Sequence, residues 1–199
     1  MTTGDWWNEK QAELPFGSTV LPVIISTDRT ELSMFTGDAT AYPVYMTIGN
    51  IPSHIRRQPS RRAQILIGYL PTSSIDKTEL TELAARNARA QLFHFAMRTI
   101  LEPLRAAAAS GIELTDSKGN RDGSVARPGN VRDGFPLLAS YVADYPEQCL
   151  VACTRYGSRC PKCHIERNGF SSGSAGILRS PEVVLLTSKW LSALSIAYV

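Results

Sequence analysis

All four cysteines of this 199-residue chain fall within fifteen positions, in the stretch YVADYPEQCLVACTRYGSRCPKC that runs from Tyr141 to Cys163. Three, six and two residues separate Cys149, Cys153, Cys160 and Cys163 in turn. Such density resembles one four-thiolate Zn²⁺ site more than a scatter of core thiols, and a tetrahedral ion would pin the path of the whole segment. The bland alternative is a set of buried packing thiols. His164 directly follows Cys163 and is an alternative donor to Cys149. The amino terminus has no basic stretch leading into an apolar run, so it does not read as a secretory signal and reduced thiols in an intracellular setting are expected. No segment reaches the roughly 20 uninterrupted apolar residues of a membrane span, so no membrane partner is expected.

The rest of the chain alternates in character. Val20 to Thr27 (VLPVIIST) is short, β-branched and almost wholly apolar, the pattern of a strand buried on both faces. Ala41 to Ile48 and Ala63 to Leu70 share that character, with Gly37 and Asp38 marking a turn and Asn50 to Pro59 a longer connection. Three consecutive strands predict an antiparallel meander. From Lys77 to Ala109 the apolar residues Leu80, Leu83, Leu92, Phe93, Met97, Ile100 and Leu104 recur at helical spacing, which predicts one long helix bent at Pro103. Asp116 to Gly134 is rich in Gly, Asp, Asn and Arg and reads as a mobile loop. Phe135 to Ala143 then returns to strand character.

That order puts Asp28 after the first strand and Asp144 after the last. Two carboxylates at neighbouring strand ends repel unless a cation sits between them, and Mg²⁺ or Mn²⁺ accepts such oxygen ligands. Paired ions of this kind assist phosphodiester cleavage and strand transfer. Aspartate after a strand is also an ordinary turn or N-cap residue, so the pattern leaves both readings open. Arg56, Arg57, Arg61 and Arg62, with His54, lie between the second and third strands, either as DNA phosphate contacts or as a solvated loop. The net charge of +3 permits nucleic-acid binding without requiring it. Trp6 and Trp7 read as a hydrophobic anchor in preference to a base-stacking pair, and His94, between Phe93 and Phe95, as a core-edge histidine.

The stretches WWNEKQAELPFGSTVLPVIISTDRTELSMFTGD, AYPVYMTIGNIPSHIRRQPSRRAQILIGYLP, LFHFAMRTILEPL and PLLASYVADYPEQCLVACTRYGSRCPKC resemble the Plavaka transposases of fungi, within the Kyakuja, Dileera and Zisupton assemblage of DNA transposons. The resemblance runs from about Asp5 to Glu166. It implies an α/β, ribonuclease H-like mixed sheet with a long helix, and a nuclear enzyme that cuts and rejoins DNA with two aspartates, one glutamate and divalent metal. By this resemblance Asp28, in STDRTEL, is the first aspartate and Asp144, in VADYPEQC, the second. The cysteines correspond to the family's zinc-binding insertion, and the intact family enzyme is expected to work as a homo-oligomer.

Two departures accompany the likeness. In the family a largely helical region carrying the glutamate follows the cysteines, whereas this sequence ends thirty-six residues after Cys163. Its tail does not match; of the carboxylates after the cysteines, Glu166 is too close to them and Glu182 lies in a context unlike the family's, so the third catalytic ligand is expected to be absent. The loop 116–134 is also longer than the family leads one to expect. The chain is thus read as a 1–18 arm, a 19–148 partial core, a 149–166 cysteine cluster and a 167–199 divergent tail, incomplete at its C-terminal end. The functional expectation is a transposase-derived, inactive copy. A zinc-stabilised DNA-binding remnant and a ribonuclease H-like nuclease acting outside transposition are the alternatives.

Overall fold

The computed structural model describes residues 4–32, 40–73, 80–115, 131–173 and 176–179. In chain order its elements are α1 (Asp5–Ala12), β1 (Thr19–Thr27), β2 (Thr30–Glu31), β3 (Thr40–Ala41), β4 (Pro43–Ile48), α2 (Ser53–Arg56), a 3₁₀ turn (Pro59–Arg61), β5 (Ile65–Tyr69), α3 (Glu82–Ser110), β6 (Ile112–Thr115), β7 (Val131–Val142), α4 (Tyr145–Val151) and a second 3₁₀ turn (Arg167–Gly169). They fall into two units. One is drawn from Met1–Thr72 and Phe95–Val142, the other from Ser73–His94 and Ala143–Val199.

The first unit is built on a five-stranded mixed sheet in the order β5-β4-β1-β7-β6. β1, β4 and β5 form the expected antiparallel meander, and β7 pairs with β1 in parallel. β1 is central, which is why its sequence is apolar throughout: none of its nine positions is exposed, and Val20, Val23 and Ile25 are core residues. Each such side chain contributes roughly 1.5–3 kcal/mol by leaving water. Pro22 and Pro136 face the neighbouring positions Leu137 and Leu21, so this part of the ladder lacks two N–H donors. The register slips immediately afterwards, between Val23 and Ile24, where Ala139 is the extra residue of β7. On the amino-terminal side α1 is tied to β1 through Gln11, whose side chain donates to the Ser18 carbonyl and accepts from the Val20 N–H.

Several expectations need correction. β7 begins at Val131, not Phe135, so 131–134 is strand and not loop; residues 116–130 of that expected loop lie outside the described residues. The polar sequence Arg132–Asp133–Gly134 is extended because it pairs with β6, a strand the composition did not announce, from Ile112↔Gly134 to Thr115↔Val131. A Cβ at Gly134 would stand 2.5 Å from Leu114 Cδ1 and 2.8 Å from Leu21 Cδ1, so both leucine side chains would have to shift to admit one. Gly111 makes the turn from α3 into β6 at φ +73°, and a Cβ on it would meet the Phe135 ring at 2.9 Å.

The long helix starts at Glu82 instead of Lys77, because Thr81 caps it: the Thr81 hydroxyl accepts from the Ala84 N–H at 3.2 Å. Residues 74–79 are outside the described set. α3 continues as one helix through Pro103. Its later part packs on the sheet, where Ile100 lies so close to Gly68 that a Cβ would be 3.0 Å from Ile100 Cδ1. At one end of the sheet β5 leaves Ile65, Leu66 and Tyr69 exposed. Among the described residues no helix is long and apolar enough to cross a membrane.

Candidate functional site

Asp28 belongs to the first unit and Asp144 to the second, each following a strand of the parallel pair β1 and β7. Ser26 pairs with Val142, and Asp28 and Asp144 each come two residues later in their own segments. The Asp28 side chain is exposed, and no described residue pairs with it. Asp144 is exposed as well but already employed: it is the N-cap of α4, with Oδ1 accepting from the Glu147 N–H at 2.9 Å. Pro146 in the first turn and Glu147 three residues after the cap complete a helix-start signal. Asp144→Ala is therefore expected to cost about 1 kcal/mol in urea denaturation while Asp144→Asn is close to neutral, since asparagine caps as well as aspartate. A loss of divalent-ion binding in Asp144→Asn is then separable from a stability effect.

The second unit carries the cysteines. None of the four, all among the described residues, is in a disulfide; Cys149 and Cys163 are buried, Cys160 is half-buried and Cys153 exposed. Among the described residues no three His, Cys, Asp or Glu side chains converge as a metal-binding group. The contacts are pairwise instead. Burial pushes the Cys160 thiol up, but the backbone N–H groups of Lys162 and Cys163, the Cys163 thiol and Arg179 outweigh it and hold Cys160 below the usual thiol range. The Lys162 N–H lies 3.4 Å from Cys160 Sγ, so the CPKC turn is arranged to carry a thiolate. The segment after it is pinned in place: Cys163 bridges to Leu178, the His164 N–H donates to the Ile177 carbonyl, and Arg179 Nε donates to the Cys160 carbonyl.

Cys153 belongs to a different pair. α4 ends with the Thr154 N–H donating to the Cys149 carbonyl and the Cys153 N–H to the Leu150 carbonyl, which is the two-bond pattern that closes a helix on a left-handed residue. Glycine is usual at that position; here it is Cys153, at φ +50°. A side chain in this conformation costs about 1–2 kcal/mol. Its Sγ lies 3.3 Å from Nε2 of His94 on α3, and the same nitrogen is 3.1 Å from the Leu150 carbonyl. Desolvation lowers the His94 pKa below its ordinary value, against the opposing pull of that carbonyl. Cys149 has its Sγ 3.9 Å from the Arg159 carbonyl, to which the Tyr145 hydroxyl also donates at 3.1 Å, and Tyr145 lies near both Cys149 and Cys160.

Two basic clusters stand out among the described residues. In the first unit Arg57, Arg61 and Arg62 are exposed, with no carboxylate partner among the described residues. Arg56 is half-buried and engaged, its Nε donating to the Ile51 carbonyl at 2.9 Å. The second cluster lines an open pocket of about 270 Å³ in the cysteine unit, walled by Arg155, Ser158, Arg159, Glu166, Arg167 and Asn168. Arg159 and Glu166 form an exposed ion pair at 3.1 Å.

A family model described as Plavaka transposase matches residues 1–193. The chain belongs to the Plavaka transposase family. The match continues past Glu166, where the resemblance of the sequence stretches ended, and takes in most of the tail. No curated protein and no solved structure matches the chain.

In this Plavaka transposase chain the structure brings Cys160 and Cys163 together, and places Cys153 beside His94. Two features were missed in the sequence. The Arg155, Arg159 and Arg167 pocket was legible only as scattered charge, because a turn of irregular backbone gathers it. The N-cap reading left open for Asp144 is the one its side chain follows here, with the signal in Asp144–Tyr145–Pro146–Glu147. His94 gave none, since its partner lies fifty-nine residues away.

Proposed function

We propose that this chain is the part of a cut-and-paste DNA transposase that bears the first two aspartates of a ribonuclease H-like core, together with a zinc-binding cysteine module, and that it acts on DNA in the nucleus. The observation that carries this reading is the family match over residues 1–193, with which the positions of Asp28 and Asp144, each two residues past the last paired residue of its strand, agree. The antiparallel meander, followed through a helix by a strand parallel to the first, supports the ribonuclease H-like assignment. Both carboxylates are exposed hard-oxygen donors, which suits Mg²⁺ or Mn²⁺. Two such ions would stabilise the attacking and leaving oxygens of a phosphodiester. The part of this chain's own residues is to present the carboxylates: Asp28 from the end of β1, and Asp144 through Oδ2, since Oδ1 is held by the helix cap.

For zinc, the donor chemistry fits at the CPKC turn, where backbone N–H groups favour a Cys160 thiolate and Cys163 is buried beside it. Cys149, Cys153, Cys160 and Cys163 are the candidate ligands. Zinc there would supply fold stability, not reaction chemistry. DNA contact falls to the exposed Arg57, Arg61 and Arg62 and to the pocket of Arg155, Arg159 and Arg167, whose guanidinium groups match phosphate oxygens in pairs. Arg56 has a smaller share, being tied to Ile51.

A second reading, the zinc-stabilised DNA-binding remnant, is favoured by Glu166: this carboxylate after the cysteines is ion-paired to Arg159. The two readings share DNA and metal binding and differ in turnover. Purified protein is expected to bind Mn²⁺, detected by water-proton relaxation, and to lose that binding in Asp28→Asn and Asp144→Asn. It is expected to show little or no strand transfer. Strong Mg²⁺-dependent transfer that disappears in Asp28→Ala and Asp144→Ala would overturn the remnant reading, and Mn²⁺ binding indifferent to both asparagine variants would overturn the two-aspartate site.

A further inference from the structure

We propose that the face of the sheet turned away from α3 is a platform for unpaired DNA, on which Tyr45 and Tyr69 stack against bases while Arg57, Arg61 and Arg62 hold the phosphates that lead onto it. This rests on the DNA reading above and names the form of the DNA, single-stranded, and the surface that takes it.

The strand register places the platform. Leu66 pairs with Tyr45, Tyr45 with Ser26 and Ser26 with Val142, so one row of side chains crosses β5, β4, β1 and β7 on a single face. α3 covers the other face: Gly68, which looks at Ile100, pairs with Val44, and Val44 points away from Tyr45 because successive residues of a strand alternate. In the row Ser26 is half-buried, whereas Leu66, Tyr45 and Val142 are exposed, Tyr45 at 38%. Tyr69, at 63% exposure, extends this surface through its pairing with Pro43, two residues before Tyr45. Leu66 and Tyr69 are three residues apart and would point to opposite faces of a regular strand. The register shift between their pairs, where Ile67 is the extra residue of β5, returns Tyr69 to the side of Tyr45.

An exposed aromatic pair on one sheet face suits stacking, which accepts any base because every base has a π-face. Sheet geometry sets the two tyrosines roughly 8 Å apart. Bases within a duplex strand rise only about 3.4 Å each, so each ring takes a base of a strand that has left the duplex. Charge adds a second, independent observation. Arg57, Arg61 and Arg62 are exposed beside the start of β5 with no carboxylate partner among the described residues; Arg61 Nε reaches the Gln58 side-chain oxygen at 3.4 Å. Arg62 closes the 3₁₀ turn at φ +48°, a left-handed conformation uncommon for a residue with a side chain. Phosphates supply the counter-charge that these guanidinium groups lack. An apolar protein surface would cover the tyrosines and leave the three arginines uncompensated. From the arginine loop the platform leads along β5 to Tyr69, at the end of the sheet where Thr27, paired with Val44, hands the chain to Asp28.

The test is fluorescence anisotropy of the full chain with three labelled DNAs matched in phosphate number: a blunt duplex, a duplex with a single-stranded overhang, and a single strand. Wild-type protein is expected to bind the overhang DNA about 5-fold or more tightly than the blunt duplex. Tyr45→Ala and Tyr69→Ala should each weaken overhang binding by ~5–150-fold and leave duplex binding unchanged. Tyr45→Phe and Tyr69→Phe should keep the preference, because the ring and not the hydroxyl does the stacking. Both tyrosines are exposed, so alanine opens no core, and hydrogen-exchange protection of β1 checks the fold. Irradiating iododeoxyuridine placed in the overhang should cross-link it to Tyr45 or Tyr69, located by mass spectrometry. Equal wild-type affinity for blunt and overhang DNA would overturn the platform and leave the DNA reading standing, as would alanine variants that weaken both alike. Absence of binding to any of the three DNAs would overturn both. A dimer in solution that Tyr69→Ala dissolves, with no overhang preference, would give the face to a second copy of the chain and overturn the proposal.

Discussion

Cys163→Ser is expected to leave the protein without stoichiometric zinc and to unfold the cysteine unit, while the five-stranded sheet keeps its hydrogen-exchange protection. The reason lies in how little else holds this unit together. Among the described residues its buried apolar side chains are few, with Ala85, Phe93, Cys149 and Cys163 among them, and its described segments are joined by single bridges such as Cys163↔Leu178 and Arg159↔Glu166. Structural zinc in small modules contributes apparent values of about 10–16 kcal/mol, more than such contacts supply. The sheet unit stands on its own core of Val20, Val23, Ile25 and Val44. Hydrogen exchange with and without a chelator reads the two units separately. If a chelator leaves protection of residues 145–169 unchanged, the cysteines are packing thiols and the zinc reading falls.

Replacing Arg155, Arg159 and Arg167 together by alanine is expected to weaken DNA binding uniformly across sequences and to flatten its salt dependence. Each phosphate contact contributes ~0.9 to the slope of log affinity against log salt, so three contacts amount to a change of up to about 2.7. Over a fourfold range of salt that slope alone is a factor of roughly 40 in affinity. Glu166→Gln should act in the opposite sense, since it frees Arg159 from its ion pair. Fluorescence anisotropy at several salt concentrations measures both effects. An unchanged slope in the triple variant would remove the pocket from the DNA-binding surface and leave Arg57, Arg61 and Arg62 as the contacts.

Much of the sheet was legible because burial on both faces leaves a plain mark. β1 reads as a continuous apolar run since both its neighbours and both its faces exclude water. β6 and the first four residues of β7 were not legible, because Ile112–Thr115 and Val131–Gly134 are short and carry polar residues, and it is their mutual pairing that makes them strands. The start of α3 was misplaced by five residues, a matter of one threonine hydroxyl outcompeting further helical turns. The cysteine spacing raised the expectation of a metal centre but could not show which side chains meet. Local spacing restricts neighbours along the chain, whereas the approach of His94 on α3 to Cys153 exists only when the chain is folded.

The exposed end strand β5 has a practical consequence. Ile65, Leu66 and Tyr69 stand in water on a strand with one unpaired side, the arrangement by which sheets of separate molecules join and precipitate. Arg61 and Arg62 lie just before it, separated by Ala63 and Gln64, and act as gatekeepers against that association. Alanine variants at these two positions therefore need a light-scattering control before any fall in DNA binding is assigned to lost phosphate contacts. Lysine variants, which keep the charge beside the strand while giving up the paired guanidinium geometry, are the cleaner probes.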